Sequence, residues 1–159
     1  MSKHRSTAVA LAVLAFTLGQ QAAAGEHNLE FKLVTKAIEV KSLEAPNVEG
    51  QTVSLLKMHG VAFFKDGRVA SKDFIYNSDF NKGSGPYFGY STYQFEDGST
   101  ITARFVGTQR AGQPAHGEYT VLSGSGVYAG AKGSGSFDGV AHKLTGANLL
   151  SGKLSITTP

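Results

Sequence analysis

From residue 29 onward, apolar and polar side chains exchange places at nearly every step. Leu29, Phe31 and Leu33 fall on one parity and Glu30 and Lys32 on the other. A period of two sends alternate side chains to opposite faces of a strand. Short runs rich in Val, Ile, Thr, Phe and Tyr recur at 29–40, 52–64, 68–77, 87–96, 99–108, 118–123, 136–143 and 152–158. Turn formers separate them: Pro46-Asn47, Asp66-Gly67, Asp97-Gly98, and the glycine-bearing segments 79–85 and 109–117. No stretch carries apolar residues at i, i+3, i+4 and i+7 through three capped turns, so no long helix is expected.

Eight such runs joined by short connections predict an all-β chain. An antiparallel up-and-down sheet of eight strands removes its exposed edges by closing into a β-barrel. A two-sheet sandwich is the structural alternative. The clearest hairpin turns at Asp97-Gly98. Tyr87, Gly89, Ser91, Tyr93 and Phe95 share one face of its first strand, and Ile101, Ala103, Phe105 and Gly107 one face of its second. Both faces are apolar or small and are assigned to the interior. Gln94, Glu96, Thr100, Thr102 and Arg104 face outward.

The stretch GSGVYAGAKGSGSFDG at 124–139 tests this reading. Gly124, Gly126 and Gly130 give G-x-G-x-x-x-G, which misses the nucleotide-binding spacing, and no helix pattern follows. Val127, Tyr128 and Phe137 interrupt the glycines with side chains that need burial, unlike a flexible linker. The stretch reads as a tight barrel corner between two strands.

The first 24 residues differ from the rest. Lys3, His4 and Arg5 precede an almost wholly apolar run at 7–18, followed by Ala22-Ala23-Ala24. This is the pattern of a cleaved secretory signal; the apolar run falls well short of the roughly 20 residues a membrane helix needs. Cleavage after Ala24 leaves a single barrel domain, 25–159, exported to the periplasm or secreted. The formal charge of +3 falls to +1 without Lys3 and Arg5. So small a charge, with no basic cluster, gives no case for nucleic-acid binding. The chain has no cysteine, which excludes disulfides, thiolate metal ligands and a thiol nucleophile. Charged and hydroxyl residues on both parities, among them Lys36, Glu39, Lys41, Arg68, Lys72 and Asp73, argue against a lipid-facing barrel.

Two stretches resemble a known family. Gly124-Ser125-Gly126-Val127-Tyr128, followed by Gly130 and Gly133, is similar to the G-[ST]-G-x-aromatic stretch of the allene oxide cyclase and dirigent barrels. Tyr93 to Ile101 (YQFEDGSTI) resembles the aromatic-x-F-E-D-G hairpin of the cyclases. The resemblance covers 87–139. It implies an eight-stranded barrel with a central apolar cavity, often assembled as trimers. The catalytic Glu and Asn of the plant cyclases have no match here, so no catalytic residue is carried over.

Candidate chemistry is sparse. His27, His59, His116 and His142 form no H-x-H or H-E-x-x-H pair, so neither a metal nor another cofactor is expected. The G-x-S-x-G elbow of a Ser-His-Asp hydrolase is absent. Tyr87, Tyr93, Phe95, Ile101, Phe105 and Tyr119 are the candidate cavity residues. They predict a site for a small apolar, lipid- or polyketide-like molecule held by a few polar groups. Such a barrel would bind its ligand or act as an isomerase or cyclase through conformational constraint and water exclusion. The alternative is a filled barrel that serves a structural or protein-interaction role at the cell envelope.

Overall fold

The computed structural model describes residues 25–159. The expected secretory signal at 1–24 lies outside the described residues. Eight strands follow one another: β1 Gly25–Glu44, β2 Gln51–Phe64, β3 Val69–Asn81, β4 Gly85–Phe95, β5 Thr100–Gln109, β6 His116–Ser125, β7 Lys132–Gly139 and β8 Asn148–Thr158. Each pairs antiparallel with the next, and β8 pairs with β1, so the sheet closes as an up-and-down barrel. A single 3₁₀ turn, Gly126–Tyr128, is the one helical element among the described residues. No helix there is long and apolar enough to cross a membrane.

Two turns repeat one geometry. Asp66-Gly67 and Asp97-Gly98 each place glycine at positive φ, +90° and +81°, a region open to glycine without steric penalty. The strand ends are clamped alike: Phe64 N–H donates to Arg68 O (2.9 Å) and Phe95 N–H to Ser99 O (3.0 Å). Asp97 Oδ1 accepts from both the backbone and the hydroxyl of Ser99, at 2.9 and 2.6 Å.

The interior is aromatic. Phe31, Phe64, Tyr87, Tyr93, Phe95, Phe105, Tyr119, Tyr128 and Phe137 are buried with Leu29, Leu33, Ile101, Leu154 and Ile156. Rings this large fit one barrel because glycines face them. A Cβ on Gly152 would lie 2.5 Å from the Phe31 ring, and one on Gly117 2.4 Å from that of Phe137. Alternation of large and small inward residues is how a narrow barrel fills. Gly107→Ala places a Cβ 2.3 Å from the Tyr87 ring and 2.5 Å from the His116 carbonyl oxygen. It is expected to lower stability by about 1–3 kcal/mol in urea unfolding, since the backbone atom cannot yield. An unchanged midpoint would contradict this packing. Glu30, Lys32 and Lys36 on β1 and Glu118 on β6 point outward.

Several strands run a few residues beyond the sequence pattern, β3 to Asn81, β6 from His116 and β8 from Asn148 among them, and two further differences bear on the architecture. β7 was expected at 136–143 and occupies Lys132–Gly139. Its inward positions are Gly133, Gly135, Phe137 and Gly139, so one side chain alone marks the apolar parity. These glycines let β7 lie against β8: a Cβ on Gly135 would stand 2.1 Å from Lys153 O. Much of the glycine-rich stretch is therefore strand, and the corner proper is confined to 126–131. The second difference is at the start of the chain. β1 runs on past the start of β8 beside β2, which stays paired with β3 as far as Gln51; β1 has a bulge between Ala37 and Glu39 and is exposed throughout from Ala37 to Glu44.

Candidate functional site

The barrel has one closed end and one open end. At the closed end Tyr128, fully buried, packs its ring against Phe95 (centroids 5.2 Å apart) and edge-on to His27 (5.2 Å). The Arg68 guanidinium lies over the Phe95 ring at 5.5 Å, donates to the Tyr128 hydroxyl and pairs with Asp66 at 2.5 Å. At the open end the β5–β6 and β7–β8 loops frame a cavity of about 470 Å³. Leu33, Met58, Phe74, Tyr76, Phe105 and Phe137 supply much of its wall, and Gln109, Gln113 and His142 stand at its mouth.

Lys72 lies at the inner end of this cavity. On β3 it shares a face with Ala70, Phe74 and Tyr76, and it is 2% exposed. Its Nζ donates to the Tyr119 hydroxyl at 2.6 Å and to the Tyr93 hydroxyl at 2.9 Å; Tyr93 in turn donates to Tyr119 at 3.4 Å. Four rings surround the amine: Tyr93 (4.5 Å), Tyr119 (4.6 Å), Phe74 (5.1 Å) and Phe105 (5.9 Å). Among the described residues no carboxylate pairs with it. Four strands must be in register to build the cluster, since Lys72 is opposite Tyr93 across β3–β4 and Tyr119 opposite Phe105 across β5–β6.

Burial sets the protonation of these groups. It holds the Lys72 amine well below the usual lysine range, because an ammonium loses its hydration there. It raises the phenols of Tyr76, Tyr87, Tyr93 and Tyr119 above the ordinary tyrosine value. For Tyr119 the hydrogen bond from Tyr93 opposes that rise. The rings around Nζ soften the desolvation of a cation but do not replace a counter-charge. The result is a basic amine with two protonated phenols beside it. Such an amine can act as hydrogen-bond partner, base or nucleophile.

All six candidate cavity residues face the interior. Tyr87, Phe105 and Tyr119 line the cavity; Tyr93 stands behind Lys72 and reaches it through its hydroxyl. Phe95 and Ile101 lie deeper, toward the closed end, where Phe95 packs on Phe64 and Tyr128. The sequence reading counted Lys72, with Arg68 and Asp73, only among the charges that argue against a lipid-facing barrel and gave it no place in the cavity; the structure places it inside. Its parity with Ala70, Phe74 and Tyr76 was the available signal. The histidines fall elsewhere: His59 pairs with Asp73 (2.8 Å) and His116 with Asp138 (2.6 Å), both on the outer surface. Among the described residues no three His, Cys, Asp or Glu side chains group as a metal would require.

Solved structures share this architecture. The pterocarpan synthase dirigent protein GePTS1 superposes with a TM-score of 0.56 at 15% identity, over 86% of each chain. The pterocarpan synthase dirigent protein PsPTS1 gives 0.54 at 16%, over 84% of this chain and 95% of that one. The chain has a dirigent-like barrel fold. A protein of unknown function from the DUF3224 family of Shewanella oneidensis shares the dirigent-like barrel at a TM-score of 0.51 and 17% identity, over 86% of this chain and 99% of its own. No family model and no curated protein matches the chain. Identities this low carry the barrel and not its chemistry, so the Lys72 cluster must be read from its own geometry.

Proposed function

We propose that this dirigent-like barrel is an exported protein that binds a small, largely apolar molecule in its open-ended cavity. The observation that carries the reading is a cavity of about 470 Å³ with aromatic and aliphatic walls and a polar cluster at its inner end. That size and that distribution of polarity match the sites that hold single small ligands. An apolar body fills the aromatic section, and one oxygen-bearing group meets Lys72 and Tyr119. A flexible ligand held this way is confined to few conformers away from water, which favours ring closure or isomerisation. The dirigent proteins of the same fold are named as pterocarpan synthases, which supports a reaction of this kind.

Titration with cis-parinaric acid tests the binding. A saturable rise in fluorescence with micromolar affinity is expected, equivalent to about −8 kcal/mol. Leu150→Trp, which adds bulk to the cavity wall, is expected to weaken it at least about tenfold, a loss of about 1.4 kcal/mol. Equal affinity in the two proteins would place the probe outside the cavity and defeat the reading.

A second reading rests on the far end of β1, which β8 does not flank, and on β2 beside it. Ile38, Val40, Leu43, Val53 and Leu55 are all exposed there. Apolar side chains grouped on an exposed stretch of sheet suit contact with another protein or a second copy of the chain. Sedimentation of Leu43→Glu against the parent chain separates self-association from a monomeric state.

A further inference from the structure

The cluster at the inner end of the cavity admits a more specific chemistry, one that rests on the binding reading above. We propose that Lys72 is a carbonyl-capturing amine, and that the cavity takes aliphatic or aromatic aldehydes and ketones, which Lys72 holds as an imine. Three geometric observations carry this. Lys72 Nζ sits at the cavity's inner end, enclosed by four aromatic rings. It has no ion-pair partner among the described residues. Two phenols, on different strands, reach it at 2.6 and 2.9 Å. A lysine kept for structure alone would be an improbable filler here, since an apolar side chain of the same volume would not need those two partners.

The step balances without an added oxidant or reductant. The Nζ lone pair attacks the carbonyl carbon, a C–N bond forms, and the carbonyl oxygen takes a proton from a phenol of the Tyr93–Tyr119 pair. Nitrogen returns its proton to that pair. The hydroxyl of the carbinolamine then leaves as water, again with a phenol proton, while nitrogen loses its remaining hydrogen. The net change is amine plus carbonyl giving imine plus water, and the phenols are regenerated. The depressed basicity of Lys72 supports the first step, because only the unprotonated amine attacks. An exposed lysine near its ordinary value is about 0.04% unprotonated at pH 7, and each unit of depression multiplies that fraction about tenfold. The open mouth lets carbonyl in and water out, and the apolar wall disfavours the return of water.

The test uses octanal as reactive probe and 1-octanol as its non-reactive counterpart. The protein is incubated with octanal and sodium cyanoborohydride near neutral pH, then digested and mapped by mass spectrometry. A reductively fixed octyl group is expected at Lys72, at least about tenfold above any other lysine. Excess 1-octanol should suppress that labelling and displace cis-parinaric acid. Tyr119→Phe should slow labelling at Lys72 by about tenfold or more, because a proton donor is lost. Lys72→Met should carry no site-specific label inside the cavity. Displacement by 1-octanol together with labelling spread evenly over surface lysines would overturn the proposal and leave the binding reading intact. Failure of both 1-octanol and octanal to displace the probe would overturn both. The mapping on the unaltered chain decides the matter even if a variant does not fold.

Discussion

Lys72→Met is expected to unfold at higher denaturant concentration than the parent chain at neutral pH, with the gap narrowing as pH rises toward about 10. Lys72 is 2% exposed and holds a proton less readily in the folded chain than in the unfolded one. Between its folded pKa and the unfolded value, the unfolded state therefore binds more protons. Stability then rises with pH through that window, by at most about 1.4 kcal/mol per unit for one proton, and is progressively lost as pH falls. Methionine has no such linkage. It removes a buried ionisable amine, a change worth about 1–4 kcal/mol in favour of the folded state when the replacement packs well. Against this, it leaves the hydroxyls of Tyr93 and Tyr119 without the amine, at about 1–3 kcal/mol for a fully unpaired group. Those hydroxyls already face each other at 3.4 Å and can close onto one another, so the gain wins at neutral pH. Above pH 10 a different slope takes over in both proteins. Tyr76, Tyr87, Tyr93 and Tyr119 all resist ionisation when folded, and their ionisation in the unfolded chain lowers stability. Urea unfolding from roughly pH 6 to 11 measures both slopes. Parallel profiles for the two proteins would mean that Lys72 stays protonated in the fold.

Tyr128→Ala is expected to cost about 3–5 kcal/mol, and Tyr128→Phe only about 0.5–1.5 kcal/mol. The alanine variant removes a fully buried ring from between His27 and Phe95 and leaves a void at the closed end. The phenylalanine variant keeps the ring and deletes only the hydroxyl that accepts from Arg68. Arg68 retains Asp66 and its position over the Phe95 ring, so its charge is not stranded. Thermal and urea unfolding of the pair give both numbers. A phenylalanine variant as damaged as the alanine one would show that the hydrogen bond, and not the ring, closes that end. Tyr128 does not line the cavity, so cis-parinaric acid binding should be unchanged in Tyr128→Phe.

The strand pattern was most legible where one face is buried and the turn residue is unambiguous. At Tyr87, Gly89, Ser91, Tyr93 and Phe95, a slip of one residue would turn every ring outward, so alternation and burial agree. The Asp-Gly pairs fix both neighbouring hairpins because their glycines occupy positive φ. β7 was displaced in the reading because glycine carries no side chain to show parity, and its inward positions are mostly glycine. The cavity tyrosines could be placed inside from alternation alone. Lys72 could not be told from a surface lysine by its residue type. What makes it special is the meeting of β3, β4 and β6 around one amine, a relation among strands distant in sequence. Its parity with Phe74 and Tyr76 was visible, yet parity without register does not say which phenols it meets.

The overhang of β1 has a bearing on how the chain behaves in a crowded solution. β8 accompanies β1 only as far as Thr35, opposite Asn148, whereas β2 continues beside it to Glu44. From Lys36 to Glu44 one side of β1 therefore offers its amides and carbonyls to any extended peptide. Lys36, Glu39, Lys41 and Glu44 punctuate that stretch with alternating charge, and Glu39 and Lys41 are paired at 2.8 Å. Charges so spaced deter stray strands from docking and fibrils from starting there. Screening them with salt should make this short margin the place where aggregation of the native chain begins.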